Sequence, residues 1–129
     1  MLHPKGHAAE TPDKPAYIMA ATGETVTYKQ LDDRSNQGAQ LFRSLGLKTG
    51  DSVAIFMENN VHYYTALWAA QRAGLLFTCI SSRLTAGEVE YIIKDCGAKA
   101  FVTSAYLAKV AKEVAPLVPG VKLYMTDGA

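Results

Sequence analysis

A doubly wound α/β layer, with a mainly parallel sheet covered by helices on both faces and preceded by a small β-hairpin, is what this sequence predicts. Three observations predict it. Short apolar runs at 52–56, 75–80, 99–103 and 121–125 alternate strictly with segments of helical periodicity. The runs lack a polar face, which is the pattern of parallel strands buried on both sides. Capping signals and glycines mark the boundaries between them. Right-handed crossovers then distribute the helices over the two faces.

In chain order, 16–21 is a short apolar run, and Thr22-Gly23-Glu24 turns it into Thr25-Val26-Thr27-Tyr28, a hairpin with a glycine-containing turn. Thr27 and Gln30 form a T-x-x-Q capping box that opens a helix. Leu31, Gly38, Ala39, Phe42 and Leu45 recur at helical spacing, while Lys29, Asp32, Asp33, Gln40 and Arg43 are assigned to the outer face. Gly46 stands where a helix-ending glycine belongs. After the strand 52–56, Asn59 and Asn60 read as turn and cap residues before a largely apolar helix over 61–72, stopped by Gly74. The next strand is 75–80. A second capping box, Thr85-Ala86-Gly87-Glu88, opens a helix carrying Val89, Ile92 and Ile93 that ends before Gly97. Strand 99–103 follows. Ser104 is placed as the cap of a helix over 105–114, ended by Pro116, and 121–125 is the last strand.

Composition excludes several classes. The chain has 129 residues, 49% hydrophobic and 19% charged, with a formal net charge of +1. That is a globular balance for one domain or subdomain, not a disordered tail. Lys14, Arg34, Arg43, Lys48, Arg72, Arg83 and Lys94 are scattered, so no basic footprint for nucleic acid is expected. No apolar run approaches the roughly 20 residues of a membrane span. The first seven residues lack the apolar core of a secretory signal. Two cysteines, Cys79 and Cys96, are too few for a disulfide framework or zinc site, and a cytoplasmic location with free thiols is expected.

Residue chemistry by itself yields no active site. No G-x-G-x-x-G or G-x-x-x-x-G-K-[ST] follows a strand, and no G-x-S-x-G encloses a serine. Ser82 and Arg83, before a helix start, could hold an anion. Alternatively Ser81 and Ser82 tie up loop backbone with Arg83 solvated, the favoured reading because capped helix starts are common. His3 and His7 are four apart, but Pro4 and Gly6 argue for a mobile terminus rather than a helical metal pair. No carboxylate near His62 in sequence is an obvious orienter for it as a base, and as a lone histidine beside Tyr63 and Tyr64 it is read as a packed or half-exposed residue. Cys79 is expected to be a buried small hydrophobe. Cys96, at a helix C-terminus, meets the wrong end of the dipole for thiolate activation. Trp68, Tyr64 and Leu67 form an aromatic–aliphatic face assigned to core or to a subdomain interface.

Several blocks carry a resemblance. Thr11-Pro12-Asp13-Lys14-Pro15-Ala16 and Thr25-Val26-Thr27-Tyr28-Lys29-Gln30-Leu31 come first. They are followed by Leu45-Gly46-Leu47-Lys48-Thr49-Gly50-Asp51-Ser52-Val53-Ala54, Asn59-Asn60, Ala69-Ala70-Gln71-Arg72-Ala73-Gly74, the stretch 81–93 and Asp95-Cys96-Gly97-Ala98-Lys99. Together and in register they resemble the opening of the adenylate-forming superfamily, which includes acyl-CoA synthetases, luciferases and peptide-synthetase adenylation domains. The stretch 81–93 is most similar to fatty-acid-CoA ligases. Family members often carry Pro and Asn around the positions of Cys79 and Ser81, a local departure.

The resemblance implies a two-step reaction. ATP and a carboxylate give an acyl-adenylate and pyrophosphate, and the thiol of CoA then displaces AMP. It implies ATP, Mg2+ and CoA for the full-length enzyme and a fatty acid as substrate. The family's Ser/Thr/Gly-rich phosphate loop ending in Pro-Lys, its metal-contacting acid, its ribose-binding aspartate and its C-terminal lysine all lie downstream of the matched blocks. Residues 1–129 are therefore expected to be one N-terminal subdomain, truncated before the phosphate loop, with no catalytic, cofactor-binding or metal-binding residue of its own. The stop after Thr126-Asp127-Gly128-Ala129 is read as truncation. Taken alone, the piece is expected to be inactive and to self-associate through apolar surface and strand edges that the remainder of the family's domain would cover. The competing readings are a segment of another adenylating enzyme, such as an aryl-CoA ligase or peptide-synthetase domain, and a stand-alone non-catalytic interaction module.

Overall fold

The computed structural model describes residues 3–127, so the stop at Gly128 and Ala129 lies outside the described residues. Among the described residues there are two sheets. An antiparallel hairpin pairs β1 (Pro15–Ile18) with β2 (Thr25–Thr27). A four-stranded, all-parallel sheet is built from β3 (Ser52–Phe56), β4 (Leu76–Ile80), β5 (Ala98–Thr103) and β6 (Lys122–Met125), in the order β4-β3-β5-β6. The helices are α1 (Pro4–Glu10), α2 (Tyr28–Ser44), α3 (Tyr63–Arg72), α4 (Ala86–Asp95) and α5 (Ala108–Val114). The predicted doubly wound α/β layer with its leading hairpin is the architecture found.

Two cores flank the sheet. On one face Val53, Ile55, Ala100 and Val102 pack under α2 and α3 with Ala39, Phe42, Ala66, Ala69 and Ala70. On the other, Ala54, Phe56 and Phe101 pack under α4 and α5 with Val89, Ile93, Ala111 and Val114. The alternation follows from the pleat: successive residues of β3 and β5 point to opposite faces, and both faces are apolar.

Local signals position these layers. The Thr27 hydroxyl accepts from the Gln30 N–H at 3.2 Å, and the Gln30 side chain accepts from the Thr27 N–H at 3.0 Å, so both halves of the box form. Gly46, at φ 87°, ends α2 as expected, in a conformation that costs glycine nothing. The second box is only half made. Thr85 accepts from the Glu88 N–H at 3.4 Å, but the Glu88 carboxylate takes the Thr85 hydroxyl at 3.0 Å instead of its backbone. Ser104 caps nothing with its side chain. The chain passes through a 3-10 turn at Ala105–Leu107 before α5 begins.

Four expectations need correction. Residues 4–10 form a helix rather than a mobile terminus: Pro4 occupies its first turn, where a missing N–H costs nothing, and His3 Nδ1 accepts from the Lys5 N–H at 3.1 Å. The outer strands are not covered on both sides, because β4 leaves Leu76 64% and Phe77 42% exposed. Cys79, on that same strand, is exposed rather than buried. Asp32 does not face outward but pairs with Arg72 of α3.

α2 and α3 meet at a close approach. A Cβ at Gly38 would stand 2.7 Å from the Ala69 Cβ, inside contact distance. Helix propensity favours alanine over glycine by about 1 kcal/mol, but this steric conflict opposes it. Gly38→Ala is expected to destabilise by about 1–2 kcal/mol net. Combining it with Ala69→Gly should cost less than the sum of the two single changes in urea unfolding. A stabilised Gly38→Ala would show that the helices can separate freely here.

Candidate functional site

In open parallel sheets, ligands bind outside the carboxyl ends of the strands, where the chain's direction of winding reverses. Here that reversal lies between β3 and β5. The loop after β3 leads to α3 on one face, and the loop after β5 leads to α5 on the other. Glu58 lies two residues after β3, and its carboxylate bridges the two loops. One oxygen accepts from the Asn60 side-chain N–H at 3.0 Å and the other from the hydroxyl of buried Ser104. Asn60 Oδ1 accepts the His62 N–H at 2.8 Å, which stands in for a cap just before α3. On the β6 side, Asp127 accepts the Ala105 N–H at 2.9 Å, and the Thr126 N–H is bonded to Thr103. Glu58, Asn60, Ser104 and Asp127 are thus engaged in joining loops, while the buried Thr103 hydroxyl has no hydrogen-bond partner among the described residues. The sequence marks Asn60 only as a turn or cap residue and Ser104 only as a cap, and shows Glu58 only as part of the turn Met57-Glu58-Asn59-Asn60, with no role. The signal was an acidic residue in the turn just after the first apolar strand.

Beside this network, Met57, Asn59, Tyr63, Cys79, Ile80, Ser81, Ser82 and Arg83 line an open cleft of about 380 Å3. Burial, and then the Cys79 thiol as hydrogen-bond partner, push the Tyr63 phenol well above its ordinary range, so it is a neutral hydroxyl. Of the two readings of this loop, the backbone one fits the geometry. The Arg83 N–H donates to the Ser81 hydroxyl at 3.4 Å, and Arg83 itself is exposed. The start of α4 already holds the Glu88 carboxylate, which disfavours a second anion there.

The other singled-out residues gather elsewhere. His3 meets Trp68 edge-on at 5.0 Å, His7 stacks on Tyr28 at 4.9 Å, and Tyr17 lies against Tyr64 at 5.1 Å. Burial, and then the nearby Arg72 cation, lower the pKa of His3, while burial raises that of Tyr17. The aromatic face therefore clamps α1 and the hairpin onto α2 and α3, and Leu67 packs against the first core. His3 caps the short helix that carries His7, but the two face different aromatic partners. Cys96, at the end of α4, bonds to the Ile93 carbonyl.

Among the described residues no three His, Cys, Asp or Glu side chains come together as a donor set. The loops after the strands offer no glycine-rich cradle for phosphates.

A family model described as AMP-binding enzyme matches residues 5–127. The chain is 37% identical over 93 residues to a fatty acid–[acyl-carrier-protein] ligase, ScoC, of Streptomyces coeruleorubidus, covering 72% of this chain and 18% of that protein. It is 33% identical over 103 residues to the long-chain-fatty-acid–CoA ligase FadD13 of Mycobacterium tuberculosis, covering 80% of this chain and 20% of that protein. Among solved structures, the N-terminal domain of FACL13 from Mycobacterium tuberculosis superposes with a TM-score of 0.87 at 28% identity, over 96% of this chain and 33% of that one. The chain thus spans 18–20% of the length of these curated relatives.

Proposed function

The chain belongs to the AMP-binding enzyme family, and from that premise we propose that it is the N-terminal subdomain of a fatty-acid-CoA ligase. The parent would couple ATP and a fatty acid to an acyl-adenylate and then to an acyl-CoA, with Mg2+ supporting the first step and CoA accepting the acyl group. The observation that carries this reading is the match over 5–127, together with relatives whose names specify fatty-acid ligation. The ligase names favour this acid class over the aryl and amino-acid branches.

Within the parent, residues 3–127 would supply a supporting sheet layer and no reacting group. Their crevice network spends its polar atoms on structure, and their titratable side chains form no donor cluster. Among the described residues no helix is long and apolar enough to cross a membrane, and a cytoplasmic setting is part of the same proposal. So is self-association of the 129-residue piece, for which the exposed apolar side chains of β4 and β6 are the support.

Acid-dependent exchange of pyrophosphate into ATP tests the reading. The 129-residue chain is expected to give no exchange with any fatty acid. The reading frame extended past Ala129 should encode a Ser/Thr/Gly-rich loop ending in Pro-Lys, and its product should exchange with fatty acids. Exchange by the short chain would overturn the scaffold role, and an extended product that exchanges only with aryl or amino acids would overturn the substrate class.

A further inference from the structure

We propose that α1 is a pH-sensitive clasp: protonation of His3 undoes the start of this helix and releases it from the aromatic side chains of α2 and α3.

The first N–H groups of a helix have no partner within it, and a Ser, Thr, Asp or Asn side chain usually accepts from one of them. None of those side chains changes charge near neutral pH. α2 and α4 follow that pattern, with Thr27 and Thr85. α1 instead relies on an imidazole, since His3 Nδ1 accepts from the Lys5 N–H at 3.1 Å. That bond requires a bare Nδ1. A protonated imidazole carries N–H on both nitrogens and accepts nothing. The proton therefore sets donor against donor and adds a positive charge at the positive end of the helix. α1 has little in reserve against this loss. It is seven residues long, contains Gly6 and carries Lys5, of the unfavourable sign, in its first turn.

The same ring also docks the helix. His3 meets Trp68 of α3 edge-on at 5.0 Å, Pro4 is buried, and His7 stacks on Tyr28 of α2 at 4.9 Å. Among the described residues, the charged groups facing His3 are Arg72 from α3, Asp32 from α2 and Lys5 from α1 itself. Asp32 is already paired with Arg72, so the surroundings oppose a further cation. Burial, and then Arg72, accordingly hold the His3 pKa below its ordinary value. The docked helix thus binds the proton more weakly than the released one. Docking is at full strength above the ordinary imidazole value of about 6.5, and is lost as pH falls through the lower, docked value. Release uncovers Tyr28 and Trp68, giving the chain an aromatic face in acid that it lacks at neutral pH.

Trp68 is the chain's one tryptophan and reports on the clasp directly. Between about pH 8 and about pH 4.5, above the ordinary carboxylate values, its emission is expected to move to longer wavelength with a midpoint below about 6.5. Quenching of that emission by acrylamide should rise with the shift, while circular dichroism loses only the signal of one short helix. His3→Asn keeps an acceptor at the cap that does not titrate, and should hold the neutral-pH emission throughout. His3→Ala should show the acid emission already at pH 8, and His7→Gln should keep the transition. Native circular dichroism at pH 8 checks that each variant folds. An emission that stays constant in the wild-type chain, or a shift that survives in His3→Asn, overturns the proposal. So does a shift without added quenching, which means a charged His3 on a docked helix, or one accompanied by loss of the whole dichroism signal, which means general unfolding in acid.

Discussion

Phe56→Ala is expected to remove about 3–5 kcal/mol of stability, the cost of truncating a fully enclosed phenyl group together with the cavity it leaves. Phe56 is the last residue of β3, a central strand, and no part of it reaches solvent. It packs in the core under α4 and α5 with Phe101, Val89 and Ile93. Against a total of about 5–15 kcal/mol for a domain, that loss leaves little margin. Urea unfolding followed by circular dichroism measures it, and Phe56→Leu, which keeps most of the volume, should cost less than about 1.5 kcal/mol. A loss below about 1 kcal/mol for the alanine variant would mean that α4 and α5 collapse onto the sheet without resistance.

The position of Phe56 was legible because β3 and β5 are nearly continuous apolar runs, and such runs have one stable fate, burial on both faces. The start of α2 was legible for a similar reason: Thr27 and Gln30 satisfy one another locally, without help from distant parts of the chain. β4 misled because its apolar run is as pure as that of β3. Periodicity records what a strand can bury, not whether a neighbour is present to bury it. The exposed Leu76, Phe77 and Cys79 follow from the strand's place at the edge, which is a matter of topology. At the N-terminus, Pro4 was weighed as a helix breaker, although in a first turn it favours a helix.

The crevice was the least legible part. Glu58, Asn60 and Ser104 come together across 46 residues of chain, and only the pairing of β3 with β5 makes them neighbours. The absence of a phosphate-binding loop or a metal-ligand spacing, by contrast, was readable directly, because such motifs are local by construction.

Arg72 shows the same limit in energetic form, and its removal is the other large effect expected. In sequence it is one scattered cation among several. In the fold it ends α3 and reaches back to α2, with one guanidinium nitrogen on the Asp32 carboxylate and another donating to Asn36 Oδ1 at 2.6 Å. Its backbone carbonyl accepts from Arg43. The two charged side chains are only 12% and 21% exposed, so water screens them far less than a surface pair. Arg72→Met keeps much of the aliphatic stem but strands the partly buried Asp32 carboxylate between α2 and α3, while the exposed Asn36 turns to water. A loss of about 2–3 kcal/mol is expected, below the range for a fully enclosed pair because some solvent remains. Adding Asp32→Asn should recover part of it, since the amide is cheaper to leave unpaired than the carboxylate. A double variant no more stable than Arg72→Met in urea unfolding would show that the guanidinium acts by packing α3 onto α2 and not by pairing charge.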